Sequence, residues 1–206
     1  MPNWCTNHLV LVGDNKEINQ LNDLLTELEN KKESFIPNGF GVNWLGCLVN
    51  ALGGNWEKIR CRGEWYGHHI EDPSESLTND PNKGELHIWI QYAWCACEEV
   101  IKFLEQCYPN MQIYYYAEET GCEVYETNDI EGIYFPERYA MTYYIEGDEL
   151  EYDTQLFDTL EEALNWVSGI AGVKVEKLED LETLNAKLEE IDEFNYCNLH
   201  EINLVY

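Results

Sequence analysis

Basic residues are scarce in this 206-residue chain: 12 Lys and Arg stand against 40 Asp and Glu, a formal net charge of −28. Such a field repels phosphate and attracts cationic surfaces, which disfavours direct nucleic-acid binding and favours a basic protein partner. Long apolar runs are missing as well, since the longest fall far short of the roughly 18 residues that span a bilayer. The opening Met1-Pro2-Asn3-Trp4-Cys5 has no basic stretch followed by an apolar one, so no secretory leader is expected. Eight cysteines are present without a Cys-x-x-Cys pair, and without an export signal a disulfide framework is not expected. The expectation is reduced, buried thiols in a cytosolic protein. The chain also lacks a recognisable catalytic motif, an internal repeat and the twelve-residue oxygen-ligand loop of the common calcium sites.

What is present argues for a folded protein. Apolar residues make up 45% of the chain, with 14 Tyr and 7 Trp, a composition foreign to a disordered acidic tail. The charge is uneven: residues 117–206 carry 24 acids and 4 bases, residues 1–116 carry 16 and 8. His8 to Val12 reads as a first strand closed by Gly13-Asp14, with Asp14 placed to cap a helix. Ile18, Leu21, Leu24, Leu25 and Leu28 recur at helical spacing behind it. Trp44 to Leu52 suits a short helix, Ile59 to Tyr66 a strand, and His68 to Gly84 a polar loop. Leu86, Ile88, Ile90 and Tyr92 alternate with His87, Trp89 and Gln91, which predicts a strand with one face buried. An amphipathic helix over Cys97 to Tyr108 and a strand over Met111 to Ala117 follow.

Two strand–helix–strand passages in succession give the ferredoxin-like split βαβ order. The expected fold class is therefore α+β: a ferredoxin-like domain over 1–128 and an acidic α+β extension over 129–206. In the extension, 139–145 and 149–155 read as a hairpin, a helix starts at Asp158-Thr159, and a second helix covers Leu178 to Ile191. Cys197 to Tyr206 is expected to return as a strand.

Three segments carry a resemblance. Met1-Pro2-Asn3-Trp4-Cys5-Thr6-Asn7-His8-Leu9 with Gly13, Trp89-Ile90-Gln91-Tyr92-Ala93-Trp94, and Glu118-Glu119-Thr120-Gly121-Cys122 together resemble the YubB ferredoxin-like family. Cys95-Ala96-Cys97 stands where that family has Ser-Pro-Pro, and its central Trp-Gly-x-Lys-Trp element is only loosely matched around Trp56 to Trp65. The resemblance implies a ferredoxin-like fold and a gene carried by phages, plasmids or other mobile elements. It implies no activity.

Four groups of residues are candidates for chemistry. Cys95 and Cys97 could bind a metal with Cys61, His68 or His69, although the second paired cluster of a structural zinc site is missing; small buried residues at a helix N-terminus account for them as well. A thiol at that position is also a candidate for activation by the oriented N–H groups. His68-His69 beside Glu71 and Asp72 could serve acid–base work or metal binding, but neighbours in a strand point to opposite faces, and an exposed polar loop accounts for the pair. His87 and Trp89, with Tyr114 and Tyr116 from the next strand, could form an outward aromatic face of the kind that stacks RNA bases. The same residues would be ordinary core if the extension covers them.

The acidic hairpin is the favoured site. Glu149, Glu151 and Asp153 alternate with apolar residues, so their carboxylates share one strand face about 7 Å apart, and Glu146 and Asp148 extend the group into the turn. Carboxylates at such intervals can imitate a nucleic-acid backbone to a basic groove, although charge runs are commonly just solvated surface. The expected function is a non-enzymatic acidic interaction protein, a DNA mimic in anti-defence work that inhibits a basic DNA- or RNA-handling bacterial protein. It would use Glu146, Asp148, Glu149, Glu151 and Asp153 for the partner and no catalytic residue, cofactor, metal, nucleic acid or membrane. The alternatives are a metal-dependent hydrolase or nuclease accessory with clustered carboxylates, and an RNA-binding ferredoxin-like domain.

Overall fold

The computed structural model describes residues 3–144 and 154–205 and shows an α+β protein. The backbone divides into two compact units, 1–129 and 130–206. In the first, β1 (Trp4–Asp14) leads into α1 (Asn15–Glu29), a short α2 (Leu45–Ala51), β2 (Gly63–Ile70), β3 (Lys83–Ala93), α3 (Glu98–Cys107), β4 (Gln112–Glu119) and β5 (Val124–Thr127). Within this unit the strands lie in the order β2-β3-β1-β4-β5, each pair antiparallel.

The alternation of β3 sets the core. Leu86, Ile88, Ile90 and Tyr92 are all within 1% of full burial. They pack with Leu9 and Leu11 of β1 against Ile18, Leu21, Leu25 and Leu28 of α1 and Val100, Ile101 and Leu104 of α3. Asp14 caps α1 as its side chain suggests, accepting from the Lys16 N–H at 2.8 Å. The helix α3 has no side-chain cap of its own. Instead, buried Asn7 on β1 accepts the Cys97 N–H at 2.9 Å and donates to the Cys5 carbonyl at 3.0 Å. The opening motif thus has a structural duty: it ties the first strand to the start of α3. Trp94, at the end of β3, has the left-handed φ of 76°, and its N–H donates to the Asn3 carbonyl at 3.0 Å.

The second strand differs from the expected one. It runs to Ile70, so His68 and His69 lie on a strand and not in a polar loop. A bulge between Trp65 and Gly67 inserts Tyr66 without a partner and shifts the alternation by one residue, which hides the strand from a period-two reading.

The second unit holds β6 (Tyr139–Tyr144), β7 (Thr154–Phe157), α4 (Leu160–Ala171), α5 (Leu178–Ile191), β8 (Tyr196–Glu201) and the short β9 (Asn203–Leu204). β6 lies between β7 and β8, antiparallel to both. Its core joins Met141, Tyr143 and Cys197 to Ala163, Leu164 and Val167 of α4 and Leu181, Leu184 and Leu188 of α5. Thr159 and Glu162 form a reciprocal capping box that starts α4. The hairpin turn and most of the strand expected over 149–155 fall outside the described residues. No helix among the described residues is long and apolar enough to cross a membrane.

Candidate functional site

The sheet face of the first unit that points away from α1 and α3 concentrates histidine. His8 of β1 is directly opposite Trp89 of β3, and His69 of β2 is directly opposite His87 of β3. Cross-strand neighbours on one face approach to about 5 Å, and the rings meet accordingly. His8 stacks on Trp89 at 4.7 Å between centroids, His69 on Trp89 at 5.3 Å, and His69 on His87 at 4.9 Å. Tyr116 and Tyr114 of β4 continue the row beyond His8 and Val10. The expected grouping of His87, Trp89, Tyr114 and Tyr116 on one face is therefore present, with His8 and His69 added.

Adjacent His68 and His69 face opposite ways. His68 turns to α1, with its Nδ1 2.8 Å from Asn22 Oδ1 and its Nε2 3.3 Å from Glu29 Oε2. The other oxygen of Glu29 accepts the Trp65 indole N–H at 2.7 Å. That group fastens β2 to the end of α1. His69 turns to the far face, where its Nε2 lies 3.4 Å from Glu71 Oε2. His87 Nε2 is 3.6 Å from the same oxygen. The three side chains present donor atoms all within 4.8 Å of one another.

Each member is held in place. Glu71 Oε1 accepts the Asp72 N–H at 2.9 Å, leaving Oε2 turned to the histidines, and that N–H holds its carboxyl below the usual range, with His69 assisting. The backbone N–H of Glu71 donates to the Glu85 carbonyl at 2.9 Å. The loop beyond is anchored by the Glu85 carboxylate, which accepts from the Ser76 hydroxyl at 2.7 Å and the Thr78 N–H at 2.6 Å. His87 Nδ1 is 3.0 Å from His8 Nε2. Burial pulls His8 down to about 4, with the His87 and His69 rings adding to the effect. Burial lowers His87 as well, with His69 adding and Glu71 and Glu85 opposing.

His87 Nε2 is buried and has no hydrogen-bond partner. A polar cleft of about 670 Å³, lined by Asn15, Asn19, Ile70, Glu71, Thr78 and Asp80 among others, opens beside Glu71.

The cysteines behave differently from a metal or nucleophile set. Cys61, Cys95 and Cys97 do not join any histidine in a group close enough to share an ion among the described residues. Cys97 is the N-cap residue of α3, where oriented N–H groups favour a thiolate. Burial is the larger effect, and it pushes this thiol well above its ordinary range, with Cys5 reinforcing it. Burial therefore opposes the activation that a helix start would favour.

The acidic surface is the other candidate. Glu146, Asp148, Glu149, Glu151 and Asp153, the expected partner residues, lie outside the described residues. Elsewhere in the second unit Glu161, Glu162, Glu176, Glu179, Glu182, Glu189, Glu190 and Glu193 are exposed. The cations near them are few: Lys174 pairs with Glu176 at 2.7 Å and Lys177 with Glu179 at 3.8 Å, all four side chains being exposed, and Lys187 of α5 is exposed as well. Arg138 spends its guanidinium on the backbone carbonyls of Phe135, Glu137 and Ile130.

No family model matches the chain. No curated protein sequence matches it. Among solved structures, the crystal structure of an unknown protein from Galdieria sulphuraria is similar over 98% of this chain and 99% of that one, at 8% identity and a TM-score of 0.30, a likeness too distant to carry an argument.

Proposed function

We propose that this is a non-enzymatic, strongly acidic interaction protein whose second unit docks on a basic, nucleic-acid-handling protein and occludes it as a decoy. The observation that carries the reading is the number of exposed carboxylates on α4, α5 and their flanks, with Lys174 and Lys177 already paired to two of them. Such a surface attracts a cationic groove from a distance and sets a fast, salt-sensitive association. The residues Glu146, Asp148, Glu149, Glu151 and Asp153 are the proposed centre of the contact, since acids alternate with apolar residues over 149–153 of the sequence.

The first unit is read as a ferredoxin-like domain of the YubB family, with a mobile element as its source. The strand order β2-β3-β1-β4, antiparallel throughout, supports the fold reading. The duties of Asn7 and Cys5 in joining β1 to α3 give the opening motif a physical reason. The RNA-binding alternative gains no support from Trp89, because His8 of β1 and His69 of β2 already stack on its ring.

The test is capture of partners from a nuclease-treated bacterial lysate at low and high salt, repeated with Glu149→Lys, Glu151→Lys and Asp153→Lys combined. A basic protein retained at low salt, released at high salt and lost by the variant is the expected result. Equal capture by the variant, with unchanged folding, would sink the proposal.

A further inference from the structure

The far face of the sheet holds an arrangement that the decoy reading does not use. We propose that His69, Glu71 and His87 form a binding site for a single divalent transition metal of the zinc class, with a water completing its coordination.

The argument starts from the protons. His8 and His87 share a contact of 3.0 Å between His8 Nε2 and His87 Nδ1, so one ring donates there. If His8 donated, the neutral form of His87 would carry its proton on Nε2. That N–H would be buried and would point at a carboxylate 3.6 Å away, beyond hydrogen-bond range. A buried unpaired donor costs about 1–3 kcal/mol. The tautomer with the proton on Nδ1, donated to His8, leaves the same atom unpaired but as an acceptor, the form that can bind a cation. It turns a bare Nε2 lone pair towards Glu71 Oε2, itself an acceptor. Two acceptors facing each other at 3.6 Å repel unless a cation lies between them.

The distances suit a metal. In a tetrahedral zinc site with bonds of about 2.0–2.1 Å, neighbouring donor atoms are about 3.3 Å apart. Glu71 Oε2 lies 3.4 Å from His69 Nε2 and 3.6 Å from His87 Nε2, so small side-chain movements complete the set. Imidazole and carboxylate are ligands of this metal class. The surrounding contacts are those that orient ligands: His8 Nε2 holds the Nδ1 side of the His87 ring, and the Asp72 N–H fixes the carboxylate of Glu71. Access is available, since the His69 side chain is 47% exposed and Glu71 borders the polar cleft. Two ligands come from adjacent strands and the third from the residue directly after β2, so the site is built on the rigid part of the unit.

The test uses the full chain, stripped with a chelator and titrated with zinc alone by calorimetry, and separately with Co(II) for its visible spectrum. One tight equivalent of zinc is expected, weakened roughly tenfold or more by His69→Gln or by Glu71→Gln, in line with the dependence of metal sites on their ligand shell. His68→Gln, on the opposite face, leaves the affinity unchanged and serves as the internal control. The Co(II) form shows the d–d bands of a four- or five-coordinate nitrogen and oxygen site without a thiolate charge-transfer band. His69→Gln and Glu71→Gln alter partly exposed side chains, and circular dichroism establishes that they are folded. The proposal is overturned by zinc affinity equal in wild type and His69→Gln, by a thiolate band that moves the metal to the cysteines, or by no uptake at all.

Discussion

Raising the pH from 8 to 10 should destabilise the first unit through its buried thiols, and Cys97→Ala should remove a measurable share of that loss. Burial pushes Cys5 and Cys61 up to about 12, and Cys97 higher still, from an ordinary 9.0. An acid whose folded value is raised keeps its proton in the native state while the unfolded chain gives it up. Stability is therefore whole below pH 9 and falls as pH rises through the unfolded value. For a thiol that stays protonated when folded, the loss between pH 8 and 10 is RT ln 10, about 1.4 kcal/mol. Three such thiols give about 4 kcal/mol, a large fraction of a domain's stability. Buried Tyr92 and Tyr115, also raised by burial, add about 0.4 kcal/mol each at pH 10. Repulsion among the excess carboxylates is nearly constant over this range.

The comparison of wild type with Cys97→Ala cancels everything except the one thiol. The alanine keeps the N–H that Asn7 accepts, so the helix start survives. The assay is urea unfolding followed by tryptophan fluorescence, which reports chiefly on the first unit because six of the seven tryptophans belong to it. The variant starts less stable at pH 8 but loses about 1.4 kcal/mol less on going to pH 10. Equal losses in the two proteins would refute the reasoning, since they would mean that Cys97 ionises as readily folded as unfolded.

Two further outcomes follow from the same packing. Asn7→Ala leaves the buried Cys97 N–H without its acceptor and should cost about 1–3 kcal/mol; a change below about 0.5 kcal/mol in urea unfolding would show that another group had taken over the cap. In thiol titration with an aromatic disulfide at pH 8, exposed Cys122 should react first and half-buried Cys95 and Cys107 more slowly. Cys5, Cys47, Cys61, Cys97 and Cys197 should react only on unfolding, and a fast phase of more than three thiols would contradict the structure.

Legibility in the sequence tracked how plainly the physics was written into period and caps. β3 announces itself because both of its faces obey one alternation, and α1 because Asp14 and five apolar residues mark its start and stripe. β2 does not, since Tyr66 slips the alternation and Gly67, His68 and His69 carry none of the usual strand signal. The metal-like group was half visible. His69 and Glu71 are two residues apart, but His87 reaches them only through the pairing of β2 with β3, and His8 reads merely as the first residue of an apolar run. Cys97 was legible as a small buried residue at a helix start, and its burial outweighs the pull of the oriented N–H groups.

The bulge at Tyr66 has a consequence for how this chain compares with others. Ironed flat, with Tyr66 paired to Trp89, the strand would turn His68 to the far face and His69 to α1. With residue 66 absent, Trp65 and Gly67 would still meet Ile90 and Trp89, and each histidine would keep its side. Chain length, and not residue type, is the neutral variable here. A related chain aligned with a one-residue gap at 66 or 67 would carry the same two-sided histidine pair, whereas a gap at 68 or 69 would remove one of them.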